Sequence, residues 1–370
     1  MPAQRMNREE FFTKLAPLDD AGLRKALWNL YWRGSAQVRE RIESEIEPAE
    51  KARRKQAANE PRDPWLVQME VQEFVRLARS GAYMGGDRQV SPRERSRWRV
   101  TFRQLATDAQ ASLRATDPGP AETALAELID LACETRSWDY FHSEDPMEAA
   151  KFVVSDAVEL LWGTLRDRYG FAGFADRAAP QLIRWESRFG WTRSGWGQLS
   201  EKETPLADVL TRMLTIPDMW SGFAERYLSA LDEAGRSDTA ASDQSWSGSD
   251  PKRKRKQRAD NLAGWNLVLL DRLDGPETGH LLDKLAAHPA LDGPERTLLQ
   301  AHLAQRRGDR ARAHTLVRKV LKELPGHREA IAFAAETKAP LPPGTAKLLE
   351  EQSGYDPSLP EPWTSTATGP

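Results

Sequence analysis

Apolar side chains in this chain recur every three or four residues almost from end to end, and alternation with a period of two is nearly absent. Such spacing gathers apolar groups on one side of a helix and gives a strand no consistent face. The chain is therefore expected to be all-α. Apolar residues make up 39% of it, with 13 Trp and 11 Phe, enough large side chains to build cores.

Cap and breaker residues divide the pattern into elements. Asn7 opens a short helix carrying Phe11, Phe12 and Leu15. Asp19 or Asp20 opens a second with Leu23, Leu27, Leu30 and Tyr31 on one side, and Ser35 a third that stops near Pro48. These predict a compact three-helix subunit over 1–48. Residues 49–64 hold no large apolar group and read as a solvated extension or linker. Trp65 to Ala82 is a strong helix. Ser91-Pro92-Arg93-Glu94 combines a cap, a first-turn proline and a reciprocal Glu, and starts a helix running to about Arg114. Another covers about Ala121 to Thr135 and contains Cys133 on its apolar stripe, as a small buried hydrophobe. Met147 to Arg168 is apolar over a wide arc and is expected to be one central helix. Pro180 should kink or divide the helix after it. Thr204-Pro205 and Ile216-Pro217 open two more, ending near Leu231.

The small polar run 233–251 predicts a flexible linker and the clearest domain boundary. The expected organisation is an irregular multi-helix domain over 1–232 and a linker over 233–258 that ends in a basic cluster. A helical module over 259–340 follows, then a mostly irregular tail over 341–370.

Within that module, Pro294 to Ala330 reads PERTLLQAHLAQRRGDRARAHTLVRKVLKELPGHREA. Two helical patterns meet at Gly308-Asp309, Pro325 follows the second, and Ala301, Ala304 and Ala313 allow close approach. The segment resembles a tetratricopeptide-type helical hairpin, whose repeat is about 34 residues. Residues 261–290 resemble a degenerate second copy, and Ala330 to Lys338 could start a capping helix. The hairpin departs from the family in lacking a large aromatic early in its first helix, and in Val317 and Val320. The resemblance implies a short α-solenoid that presents surface to a partner and has no chemistry of its own. It implies that Glu295, Leu298, His302, Gln305 and Arg306 line the concave face. There His302 and Arg306, one turn apart, would clamp an acidic peptide.

Three functions follow from the residues. The first is a non-enzymatic scaffold that binds a protein or peptide partner. The second is a nucleic-acid-associated protein using Lys252, Arg253, Lys254, Arg255, Lys256 and Arg258, with Trp185, Trp191 and Trp196 as a stacking loop. The net charge of −2 confines any such role to that local patch. The third is a helical enzyme around Asp139, His142 and Glu144, where a histidine beside carboxylates suits acid–base work. Asp145-Pro146 explains the same stretch as a helix start.

No cofactor or nucleotide motif is present. His280, His288, His302, His314 and His327 lack metal-ligand spacing, and a single cysteine excludes an internal disulfide or a cysteine-built zinc site. No apolar run is long enough to span a bilayer, and the start has no apolar signal region. A cytoplasmic protein without a membrane partner is expected. The dominance of Arg over Lys suggests a GC-rich bacterial genome.

Overall fold

The computed structural model describes residues 7–35, 38–39, 42, 62–84, 87–135, 146–187, 199, 201–242, 250–273, 275 and 277–353. Among these, all regular structure is helical and there is no strand. The chain forms two compact units, Met1–Arg62 and Asp63–Pro370.

In the first unit, α1 (Arg8–Leu15) starts from a capping box. Asn7 Oδ1 accepts from Glu10 N at 2.8 Å, and Glu10 Oε2 accepts from Asn7 N at 3.3 Å. Asp19 caps α2 (Asp20–Arg33) by accepting from Gly22 N. Neither helix buries a residue. Trp28 stacks on Trp32 at 5.8 Å, yet the two stay 58% and 68% exposed. Leu23, Leu27 and Leu30, expected on one side of α2, are exposed. Most of the expected third helix lies outside the described residues.

The second unit begins with α3 (Pro64–Arg79), α4 (Pro92–Ser96), α5 (Trp98–Ser112), α6 (Gly119–Thr135) and α7 (Pro146–Ala150). Phe74, Trp98, Phe102 and Phe152 form a chain of ring contacts that ties α3 and α5 to the residues after α7. Cys133 is buried as a free thiol. The helix expected from Pro92 to Arg114 breaks at Arg97, which leaves helical geometry. The helix expected from Met147 breaks at Lys151, where φ is +53°, and resumes as α8 (Val154–Leu182).

Pro180 does not divide its helix. α8 passes through Pro180 and ends in a wide π turn over Ile183–Ser187, and its non-helical residue is Gly170, with φ 64° and ψ −174°. That backbone region is essentially restricted to glycine.

α9 (Leu206–Met213) and α10 (Pro217–Ser242) follow. The linker expected from residue 233 is corrected over 233–242, which are the last turns of α10, with Asp238 buried. Residues 243–249 lie outside the described residues. α11 (Pro251–Asn261), α12 (Ala263–Arg272) and α13 (Gly279–Ala286) come next. Trp265 stacks on Trp220 at 5.9 Å and meets Phe223 and Tyr227 edge-on. One buried cluster therefore runs from Val67 to Leu303, across the boundary expected between the helical domain and the repeat-like module.

α14 (Pro294–Arg306) and α15 (Arg310–Glu323) form a tight hairpin joined through Gly308 at φ +78°. α16 (Arg328–Thr337) and α17 (Pro343–Ser353) pack on α15. A second cluster, including Leu298, Ala301, Ala313, Val317 and Phe333, fills this end. No helix among the described residues is long and apolar enough to cross a membrane.

Candidate interaction surface

The side of α14 expected to face a partner is occupied by the protein itself. Leu298 is buried in the second cluster. The His302 ring lies 4.3 Å from the Phe333 ring of α16. Glu295 meets His327, whose Nδ1 accepts from Ala330 N and so caps α16. Arg306 donates to the carbonyl of Leu270 and pairs with Asp271, both on α12. Gln305 is half-buried. The expected free face of Glu295, Leu298, His302, Gln305 and Arg306 is thus corrected. Glu295, Leu298 and His302 hold α14 to α16, and Arg306, though exposed, ties it to α12, because an apolar face next to a further helix is covered by it. Burial pushes the His302 imidazole below its ordinary pKa and the Glu295 carboxyl above its own, the latter opposed by His327.

The basic cluster is also divided. Asp250 caps α11 by accepting from Lys252 N, and the helix turns its six cations in different directions. Arg258 is buried, its Nη2 donating to Asp238 Oδ2 at 2.8 Å and its Nη1 to the Ala290 carbonyl at 3.0 Å. It is a structural residue and not an anion contact, which corrects its place in the expected set. Lys256 Nζ lies 3.0 Å from Glu323 Oε1 at the end of α15. Lys252 and Arg253 are exposed and Lys254 and Arg255 half-exposed, and none of the four makes an ion pair among the described residues.

The stacking loop changes as well. Trp185 is only 1% exposed, stacks on Trp162 at 6.2 Å and donates to Asp130 Oδ1 at 3.0 Å. It cannot receive a base or sugar. Asp130, whose pKa burial raises, also accepts from Arg184 at 2.7 Å. Trp191 and Trp196 lie outside the described residues, as do Asp139, His142 and Glu144. Among the described residues no group of three His, Cys, Asp or Glu is placed to hold a metal ion.

A feature the sequence did not reveal is a cleft of about 260 Å³ between α13, α14 and α15. Ala286, Ala287, Leu303 and Ala304 supply its apolar lining, and Asp283, Gln300, Arg307, Asp309 and Arg312 its polar one. Small alanines leave the space, and polar side chains fix its walls. Gln300 Nε2 donates to the Ala286 carbonyl at 2.8 Å, and Arg296 Nη1 to the Leu291 carbonyl at 3.1 Å, so the end of α13 is tied to α14. Arg307 Nη1 lies 2.7 Å from Asp283 Oδ1 and holds that carboxyl below its usual range. Asp309 Oδ1 caps α15 by accepting from Arg312 N at 3.0 Å. The exposed Arg312 guanidinium makes no ion pair among the described residues. The clue in the sequence is small residues at 286, 287 and 304, of which Ala304 reads by its pattern as a helix-packing position.

This arrangement suits recognition. An apolar floor can take a side chain, and an uncommitted guanidinium at the rim can take a carboxylate in a two-pronged contact. No family model, curated protein or solved structure matches this chain.

Proposed function

We propose that the chain is a non-enzymatic interaction protein that binds a protein or peptide partner through its C-terminal helical module. The observation that carries this reading is the α13–α14–α15 cleft, with its alanine floor and its unpaired Arg312. The resemblance to tetratricopeptide hairpins, with α16 in the place of a capping helix, supports a role in presenting surface. The surface available to a partner is the cleft side of the hairpin, since the opposite side of α14 is covered. A nucleic-acid role for 252–258 would rest on four cations in place of six, because Arg258 and Lys256 have internal partners.

The test is site-specific photo-crosslinking in the host cell. A photoreactive amino acid at Ala287, on the cleft, should yield a discrete protein adduct. The same group at Val100, exposed on α5, should not. Adduct formation at Ala287 should also fall when Arg312 is replaced by Glu. Equal labelling from both positions, or none from Ala287, would refute the proposal.

A further inference from the structure

Two basic stretches that are far apart in sequence become one surface in the fold. α15 carries Arg310, Arg312, Arg318, Lys319 and Lys322 against a single acid, Glu323. α11 opens with five consecutive cations, Lys252 to Lys256, and has no acid in its first turn. The contact between Lys256 and Glu323 joins the end of α15 to α11, although 67 residues separate them. Arg312, Lys319 and Glu323 fall on one face of α15 by helical spacing, and Arg312 sits at the cleft. A basic strip therefore runs from the cleft along α15 to α11. At about 1.5 Å per residue the α15 part alone is about 16 Å long, the reach of about five residues of extended chain.

Four acids lie on this path, and each is already engaged: Asp283 by Arg307, Asp309 by the backbone of Arg312, Glu323 by Lys256 and Asp250 by the backbone of Lys252. The surplus is positive. The cations of α11 also crowd the helix end where the backbone dipole is itself positive, an arrangement that costs stability. The Asp250 cap offsets part of that cost, but one carboxylate stands against five consecutive cations, and a local rule broken to that extent marks a surface shaped by something other than folding.

We infer that this strip binds an acidic polypeptide segment, with carboxylates over Lys252, Arg253, Lys319 and Lys322 and one acidic side chain at Arg312. The inference rests on the interaction reading above and adds the chemistry of the partner. Nucleic acid fits less well. No exposed aromatic lies on α11 or α15 to stack a base, and the four acids along the path would face a continuous line of phosphates. A polypeptide can place a cation or a neutral residue opposite each acid.

The experiment uses the full chain and two fluorescent probes, an oligoglutamate peptide and a DNA duplex, followed by anisotropy. Oligoglutamate should bind saturably and weaken with salt. Lys319→Glu with Lys322→Glu, and separately Lys252→Glu with Arg253→Glu, should each weaken it about tenfold or more. Arg93→Glu with Arg97→Glu, exposed on α4 and at its end, changes the net charge equally and should leave binding intact. Unchanged circular dichroism and melting would show that the variants fold. Three results would each overturn the inference: no oligoglutamate binding, equal loss with the α4 variant, or DNA bound more tightly than the peptide and lost with the same substitutions. Failure here with persistent crosslinks at Ala287 would mean a partner exists but is not acidic, whereas loss of both would remove the interaction reading itself.

Discussion

Arg258 shows how much one residue's role depends on where its helix turns it. In sequence it closes a run of cations; in the fold it is buried against Asp238 and the Ala290 carbonyl. Removing one member of a buried ion pair strands the other charge, which costs about 3–5 kcal/mol. Arg258→Ala should lower unfolding free energy by that amount in denaturant titration. Lys252→Ala should change it by less than about 0.5 kcal/mol, as expected of an exposed site. Trp265 is the second such residue, packed against Trp220, Phe223 and Tyr227. Trp265→Ala should cost about 3–5 kcal/mol through the cavity it leaves. The apolar character of Trp265 was legible from its helical stripe. The burial of Trp185 was not, because a tryptophan beside a glycine-rich stretch reads equally well as a surface group.

Helix α16 is held at its start, middle and end by three histidines. His327 caps it and meets Glu295, the His302 ring packs on Phe333, and His314 Nε2 lies 3.0 Å from the Thr337 carbonyl. The sequence showed these histidines as part of a group without metal spacing, with His302 expected beside Arg306 on a partner-facing side; that they converge on one helix is a product of the hairpin. His302 faces Arg306 on its own helix, Glu329 and Glu336 on α16, and Asp271 on α12, and burial outweighs the acids. Its folded-state pKa lies below the ordinary 6.5. Its stabilising contribution is therefore complete above that value and is lost as pH falls from 6.5 toward the folded pKa, because the unfolded chain takes up the proton first. Glu295 acts with the opposite sign, since its raised pKa favours the folded state as pH falls toward its ordinary 4.5. Thermal unfolding should thus show a loss of stability on crossing below about pH 6.5, and His302→Gln should make that loss smaller. An unchanged acid response in the variant would rule His302 out as the source. In α8, Gly170→Ala forces a side chain into a backbone region reserved for glycine and should cost about 1–3 kcal/mol. Pro180 was the visible breaker there. The kink of α8 lies at Gly170, where a φ of 64° with ψ −174° favours glycine.

For the unit Asp63–Pro370, the linker-like composition of 233–251 suggested two separable bodies. The core is instead continuous from Val67 to Leu303, with Trp220, Phe223 and Tyr227 of α10 packed on Trp265 of α12. A protease site engineered into 243–249 should leave the two fragments co-eluting on gel filtration and melting in one transition. Fragments that separate and stay folded would show two domains. The sequence by itself determined the helical class, most helix starts and the large apolar residues of the core, because caps and periodicity act within a few residues of each other. Tertiary structure alone decided which faces remain open. It covered the face of α14 that was expected to bind, removed Arg258 and Trp185 from the surface, opened the cleft at Arg312 and joined α11 to α15 through Lys256 and Glu323. The physical reason is that a helical stripe records that a residue will be buried or exposed on its own element. Which neighbour covers it depends on contacts between residues tens of positions apart, and no local pattern encodes those.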